Sequence, residues 1–394
     1  MNRLYLDHNA TTPLRVEARD AMIAAMDVVG NPSSVHAEGR AAKMMVERAR
    51  AQVAVLVGCL PTQVIFTGSA TEAASMVAAQ KDRHGGVFIA SDIEHDCFRV
   101  WDEAPQRTFE KSDGDDYDPD EQAFVDFAWS LATADNNDNA LWALTAADGE
   151  TGLLAENGAP GTYDGCVPGA NIWPCGERKT NFAVVTDITQ LAGKLPVVLG
   201  EKKPSYMILS AHKIGGPKGV GAFINLTAQD PIPILRGGGQ EQNRRSGTEN
   251  VIGIAGFGAA AQAAHHDVMA GKWTEVEKLR NILERALEAF SKKTIFVGKE
   301  VPRLPNTSCF ITPGWKGDTQ VMQMDLAGFA ISAGSACSSG KVKASRVLKA
   351  MGYSDLEAAS AVRVSLGLET TEDDVLRFAQ AWGEKLKKQE SRAA

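Results

Sequence analysis

The sequence predicts an α/β protein: a large domain built on a mainly parallel sheet, joined to a smaller α+β domain. Three observations predict it. Short apolar runs of strand size alternate with stretches of helical period through the first two-thirds of the chain. Polar residues that can carry chemistry stand at the ends of successive runs: His95 after 86–94, Asp187 after 182–186 and Lys213 at the end of 206–213. In an open α/β sheet the ligand lies along that carboxyl edge, so these three side chains are expected to face one cleft. From Trp273 onward the pattern changes to a charged helix and short, separate strands, which assigns 14–255 to the large domain and 1–13 with 256–394 to the small one.

Composition narrows the class of function. The chain has 394 residues, 44% hydrophobic and 23% charged, the profile of a globular enzyme. A formal net charge of -8 argues against nucleic acid or an anionic membrane as the main partner. No apolar run reaches the roughly 18 residues of a membrane span, and the N-terminus lacks the layout of a signal peptide. The six cysteines (59, 97, 166, 175, 309 and 337) include no Cys-x-x-Cys pair, so neither a zinc ribbon nor a disulfide framework is indicated. The expected compartment is the cytoplasm.

In chain order, a short strand at 4–6 enters a polar turn, and 16–28 and 39–57 read as helices. Asn31-Pro32-Ser33-Ser34-Val35-His36 between them reads equally as a binding loop or a capped surface loop. The strand 64–67 meets Gly68-Ser69-Ala70-Thr71 at the start of a helix. Free N–H groups there, with the Ser69 and Thr71 hydroxyls, suit a phosphate, although a plain helix cap uses the same residues. The lysine of a Walker loop and the Gly-x-Gly-x-x-Gly pattern are both absent. After the strand 86–94 comes an acidic, irregular segment at 101–139. A strand at 140–145 leads to Asp148-Gly149-Glu150-Thr151-Gly152, and 157–179 is a long excursion rich in Gly, Pro and Cys. Two Gly- and Arg-rich loops at 236–241 and 244–248 precede an alanine-rich helix at 251–269. A helix at 275–292, strands at 294–297 and 308–311, a helix at 345–351 and a strand carrying Arg363 complete the small domain. Cys337 lies in a run of small residues, 331–340, which suits an accessible thiol.

The stretch 206–223 carries the sharpest signal. Burial at a strand end disfavours the charged form of a lysine, which makes Lys213 a candidate amine nucleophile toward a carbonyl. Ser210-x-x-Lys213 as a serine-nucleophile pair, and two ordinary residues where a strand surfaces, stay open on this stretch alone.

Seven blocks decide between them. Tyr5-Leu-Asp-His-Asn-Ala-Thr-Thr-Pro13, Asn31-Pro-Ser-Ser-Val-His-Ala-Glu-Gly-Arg40, Ser210-Ala-His-Lys-Ile-Gly-Gly-Pro-Lys-Gly219, Gly237-Gly-Gly-Gln-Glu241, Arg245-Ser-Gly-Thr-Glu-Asn250, Gly334-Ser-Ala-Cys-Ser-Ser339 and Arg363-Val-Ser-Leu-Gly367 stand in this order. Together they resemble the cysteine desulfurases, pyridoxal-phosphate enzymes of fold type I, across nearly the whole chain. The resemblance implies a seven-stranded, mainly parallel sheet in the large domain. It implies that Lys213 holds the cofactor, that Asp187 pairs with the pyridine nitrogen, that Gln190 bonds the ring oxygen and that His95 stacks on the ring and assists proton transfer. Ala70, Thr71, Ser210 and His212 would cradle the phosphate, with Thr248 reaching it from a neighbouring subunit of a homodimer. Arg363, with Asn9, would bind the substrate carboxylate, and Cys337 would take up sulfur from L-cysteine as a persulfide and pass it to an acceptor protein.

There are departures. Gly149 stands where the family has a second asparagine, Gly68-Ser69 replaces Ser-Gly, and 101–139 and 153–181 follow the family poorly. A selenocysteine lyase, another β-lyase on this scaffold and a weakened dimeric partner of sulfur-transfer proteins therefore remain alternatives. Whether the sulfur serves iron–sulfur clusters, tRNA thiolation or another thio-cofactor is open.

Overall fold

The structure, a computed structural model, describes residues 3–103, 140–154, 183–200, 203–334 and 344–393. The chain opens with β1 (Leu4–Tyr5), α1 (Val16–Met26) and α2 (Ala37–Val57). It continues through β2 (Val64–Thr67), α3 (Ala70–Ala78), β3 (Phe88–Ile89), α4 (Asp96–Arg99), β4 (Leu141–Thr145), β5 (Ala183–Asp187), β6 (Tyr206–Ser210) and β7 (Gly221–Asn225). Then come α5 (Val251–Met269), α6 (Lys272–Phe290), β8 (Ile295–Phe296), β9 (Thr307–Ile311), α7 (Gly317–Leu326) and β10 (Phe329–Ala330). The chain ends with α8 (Arg346–Ala350), α9 (Asp355–Ala358), β11 (Ala361–Ser365) and α10 (Glu372–Ala393).

The large sheet has the order β2-β7-β6-β5-β4-β3. β7 alone runs against its neighbours, and β3 to β6 are parallel. The expected α/β fold with a mainly parallel sheet is present; where seven strands were expected, the described residues hold six. β5, β6 and β7 are buried at every position, the mark of strands covered on both faces. Alternation along β6 sends Met207 and Leu209 into a core with Val46 and Val53 of α2 and Phe257 and Ala261 of α5. Tyr206 and Ile208 enter the opposite core with Met76 and Val77 of α3. Gly258 lets α5 approach α2, because a Cβ there would lie 2.5 Å from Ala49 Cα.

The second unit packs β11-β9-β8 and the β1-β10 pair around Phe310, Trp315, Phe378 and Trp382. β1 pairs in parallel with β10, so the N-terminus belongs to this side. The expected division at 255/256 falls inside α5, whose Ile254, Phe257, Ala260 and Ala264 all lie in a core of the large sheet. We propose the division at the turn through Gly271, where φ is 68° and both helices stay whole.

One buried ion pair holds a strained loop near the sheet. Arg50, 3% exposed, donates to both Glu241 oxygens at 2.7 and 2.9 Å, and Glu241 Oε2 also accepts Phe66 N–H at 3.1 Å. Glu241, Gln242 and Asn243 have φ of 48°, 60° and 66°, left-handed values that cost roughly 1–2 kcal/mol each in non-glycine residues. Arg50→Met leaves a buried carboxylate without its partner and is expected to lower stability by about 3–5 kcal/mol. Urea unfolding checks this, with the Arg50→Met/Glu241→Leu double variant expected to recover much of the loss. A single-variant loss within measurement error would overturn it.

Candidate active site

The sheet register gathers the site. Thr67 at the end of β2 and Ser210 at the end of β6 both lie opposite Gly221, and Thr145 of β4 lies opposite Asp187 of β5. Because β7 is antiparallel to both neighbours, the carboxyl ends of β2, β4, β5 and β6 share one edge. At that edge α3 begins, with Ser69 as N-cap accepting Glu72 N–H at 3.1 Å. Ala73 N–H goes to Ser69 O, so the N–H groups of Ala70 and Thr71 have no partner among the described residues. Gly221 permits the close approach, since a Cβ there would lie 2.9 Å from Ala70 N. Glu72 braces this turn, accepting Gly68 N–H at 2.7 Å and Arg245 Nε–H at 2.8 Å.

Lys213 sits in a single 3-10 turn after β6. Its Nζ donates to Asn9 O at 2.6 Å and Ala10 O at 2.9 Å, so the N-terminal block folds over the lysine. Thr12 Oγ1 donates to Lys213 O, and His212 Nδ1 meets Thr11 Oγ1 at 3.2 Å. Burial, with Lys213 and Lys218 nearby, pushes the His212 imidazole down to about 4, so it is neutral at physiological pH. Asn9 O also accepts Gln190 Nε2–H at 3.0 Å.

The orientation of the Gln190 amide is set from behind. Lys194 Nζ donates to Gln190 O at 2.9 Å and Oε1 at 3.0 Å. Asn9 O only accepts, so Nε2 must face it and Oε1 must face Lys194. Lys194 is 3% exposed; burial, then the positive charges of Lys213 and Arg363, lower its pKa to about 7.

Asp187, 8% exposed, accepts Thr189 N–H at Oδ1 over 2.8 Å. His95 caps α4, its Nδ1 accepting Cys97 N–H at 3.1 Å, so the neutral ring carries its proton on Nε2. Glu94 beside it is buried and bonded by Thr145 N–H at 2.9 Å and Thr145 Oγ1 at 2.5 Å. Burial outweighs those bonds and lifts the Glu94 carboxyl to about 8, so it holds a proton at neutral pH.

Arg363 projects from β11, 3% exposed. Nη2 donates to Asp7 Oδ1 and Nη1 to Gly149 O, each at 2.7 Å, while Nε has no partner among the described residues. Asn9 joins the same group, donating to Gly149 O at 3.2 Å and Thr307 Oγ1 at 2.8 Å and accepting from Asn306 Nδ2. A Cβ on Gly149 would lie 3.2 Å from Gln190 Nε2, so the Gln190 side chain stands against the place where an asparagine would begin. Glu150 is 4% exposed and neither oxygen has a well-aligned bond among the described residues. Burial raises it to about 7, although Ser345 lies close enough to favour its charge.

The structure thus brings together Asn9, Gln190 and Lys213 by direct contacts, His212 through Thr11, Arg363 through Gly149, and Ala70, Thr71 and Ser210 through register. Thr248 is exposed on its loop. Cys337, Cys166, Cys175 and most of 101–139 and 153–181 lie outside the described residues. Cys97 and Cys309 are buried, and Cys59, half-buried, has its thiol pushed up to about 12.

Residues 4–155 and 168–378 match the aminotransferase class-V family. The chain is 34% identical over 388 residues to a cysteine desulfurase of Cereibacter sphaeroides, covering 96% of this chain and 95% of that one. The chain belongs to the cysteine desulfurase family. It is also 31% identical over 393 residues to an IscS-like cysteine desulfurase of Mycobacterium tuberculosis, covering 94% of this chain and 93% of the relative. Its fold matches a NifS-like protein from Rickettsia africae with a TM-score of 0.80 and 29% identity, over 98% of this chain and all of that one. Desulfurases of this family are pyridoxal-phosphate proteins of fold type I. The residues present fit that cofactor: two N–H groups at a helix start, without a partner among the described residues, suit its phosphate, and a buried carboxylate at a strand end suits its ring nitrogen. No helix among the described residues is long and apolar enough to cross a membrane.

Proposed function

We propose that this chain is a pyridoxal-phosphate cysteine desulfurase that converts L-cysteine to L-alanine and leaves the sulfur as a persulfide on Cys337. One observation carries the reading. In a chain that aligns end to end with cysteine desulfurases, Lys213 Nζ and Gln190 Nε2 converge on a single carbonyl, that of Asn9.

Lys213 holds the cofactor, Asp187 its pyridine nitrogen, Gln190 Nε2 its ring oxygen, and Ala70, Thr71, Ser210 and His212 its phosphate. Bound there, pyridoxal phosphate supplies an electron-withdrawing ring that acidifies the substrate Cα–H. Lys213 Nζ moves protons at that carbon, and His95, with its proton on Nε2, serves the ring face. Arg363 orients the substrate carboxylate, with Asn9 supporting it through their shared contact to Gly149 O. The thiolate of Cys337 bonds to the substrate Sγ as the substrate Cβ–Sγ bond breaks, and the electron pair left on Cβ takes up a proton. L-cysteine and the Cys337 thiol become L-alanine and a persulfide, and the outer sulfur passes to an acceptor protein. Thr248, exposed on one chain, completes the phosphate site of a second copy in a homodimer.

The test is the visible spectrum of the purified protein with pyridoxal phosphate, followed through addition of L-cysteine, with alanine and sulfide assayed together. A cofactor band that responds to cysteine is expected, with alanine formed and then lost in Cys337→Ala. A band without turnover would reduce the chain to a cofactor-binding partner. No band would overturn the cofactor assignment and the function with it.

A further inference from the structure

Arg363, the residue read above as the substrate-carboxylate anchor, is already matched by a carboxylate of the protein's own. Asp7 is 356 residues away in sequence, yet its Oδ1 accepts Arg363 Nη2–H at 2.7 Å. The two side chains are 4% and 15% exposed, so water screens the pair weakly. Asp7 is itself held: its Oδ2 accepts Ser332 Oγ–H at 2.8 Å, and Ser332 exchanges both backbone hydrogen bonds with Arg363. Gly149 O takes Nη1–H from the other side. The guanidinium is therefore charge-matched and fixed in plane, and Nε–H stays without a partner among the described residues.

We propose that Asp7 is a specificity-determining and positioning residue that acts through Arg363. It neutralises the guanidinium so that a simple anion gains nothing by entering, and it holds the remaining N–H groups for a forked carboxylate that the rest of the site also grips. Without Asp7 the buried cation is unpaired and takes up a small free carboxylate, which accepts two guanidinium N–H bonds as chloride cannot.

The test uses acetate and the protein without substrate, so its result is separate from whether cysteine is turned over. Asp7→Asn is the variant of choice: the amide oxygen still accepts from Arg363 and only the charge is lost. Thermal unfolding is followed as acetate replaces chloride at constant ionic strength. Asp7→Asn is expected to gain thermal stability with acetate, saturating at a concentration at least about tenfold below any wild-type response. The added gain is expected to vanish in the Asp7→Asn/Arg363→Gln double variant. Equal acetate responses in wild type and Asp7→Asn, or a response that survives loss of Arg363, overturns the proposal. If Asp7→Asn does not fold, Ser332→Ala removes only the hydroxyl that anchors Oδ2. It is expected to move the acetate midpoint in the same direction by a smaller factor, and an unmoved midpoint overturns the proposal equally.

Discussion

Lys213→Ala is expected to abolish the cofactor band at stoichiometric pyridoxal phosphate and to cut alanine formation by at least about 10²–10⁴, the worth of a positioned acid–base group alone. In the proposed function the lysine is both the attachment point and the amine that moves protons, so no neighbour is expected to substitute for it. Lys194 is buried near it, but its Nζ is committed to Gln190 O and Oε1. Two carbonyls, Asn9 O and Ala10 O, lose a donor in the alanine variant. Part of any stability loss is therefore structural, at roughly 1–3 kcal/mol for a buried polar group left unpaired. Lys213→Arg keeps N–H groups within reach of those carbonyls and separates the two effects. It is expected to restore thermal stability without restoring the band. Alanine formation by Lys213→Ala at a tenth of the wild-type rate or more would sink the assignment of this residue.

The second large effect is on stability, and its sign is opposite to that of most buried-site changes. Lys194 titrates near 7 in the folded protein against 10.5 when unperturbed, so between these values the unfolded chain binds more protons. Stability therefore rises with pH across that window, and the penalty of burying the charge is present in full below about pH 7. At 1.36 kcal/mol per pH unit the penalty is on the order of 5 kcal/mol. Lys194→Met removes the charge and also leaves Gln190 O and Oε1 without their donor, a cost that does not depend on pH. Relative to wild type, Lys194→Met is expected to be most favoured below pH 7 and to lose that advantage steadily toward pH 10. Denaturant unfolding from pH 6 to 10 checks the slope. A difference between variant and wild type that stays flat with pH would show that burial does not lower the Lys194 pKa and that the side chain stays charged in the folded protein across this range. Glu94 slopes the other way: its folded value near 8 lies above the unperturbed 4.5, so its contribution to stability falls as pH rises between those values.

Much of this site was legible before any coordinates. Asp187, Ser210 and Lys213 stand out because a buried strand ends there, and alternation and apolar runs are local properties of sequence. The strand at 64–67 and the helix at 251–269 follow from the same local signals, and the structure has them in place, whereas the strand expected over 206–213 ends at Ser210 and leaves Lys213 in a 3-10 turn. Asn9, Gln190 and Arg363 had no such local signal and came only from the resemblance to a family. Lys194 and Glu94 were missed altogether. Lys194 sits in Leu191-Ala-Gly-Lys-Leu195, which reads as an ordinary turn with a surface lysine, and Glu94 reads as the polar end of a strand.

What the sequence alone determined was the class of fold, the edge at which chemistry gathers and the order of the residues delivered there. Hydrophobic period and strand-end polarity are written in neighbouring residues, and they are enough for that. Tertiary structure decided which groups are charged and which are held. Asp7 and Arg363 are read as two separate motifs until β11 and the N-terminal block are packed side by side. Lys194 becomes a perturbed amine only when the chain closes over it and two other cations lie nearby. Burial and through-space charge are sums over the whole packed molecule, and no stretch of sequence carries them by itself.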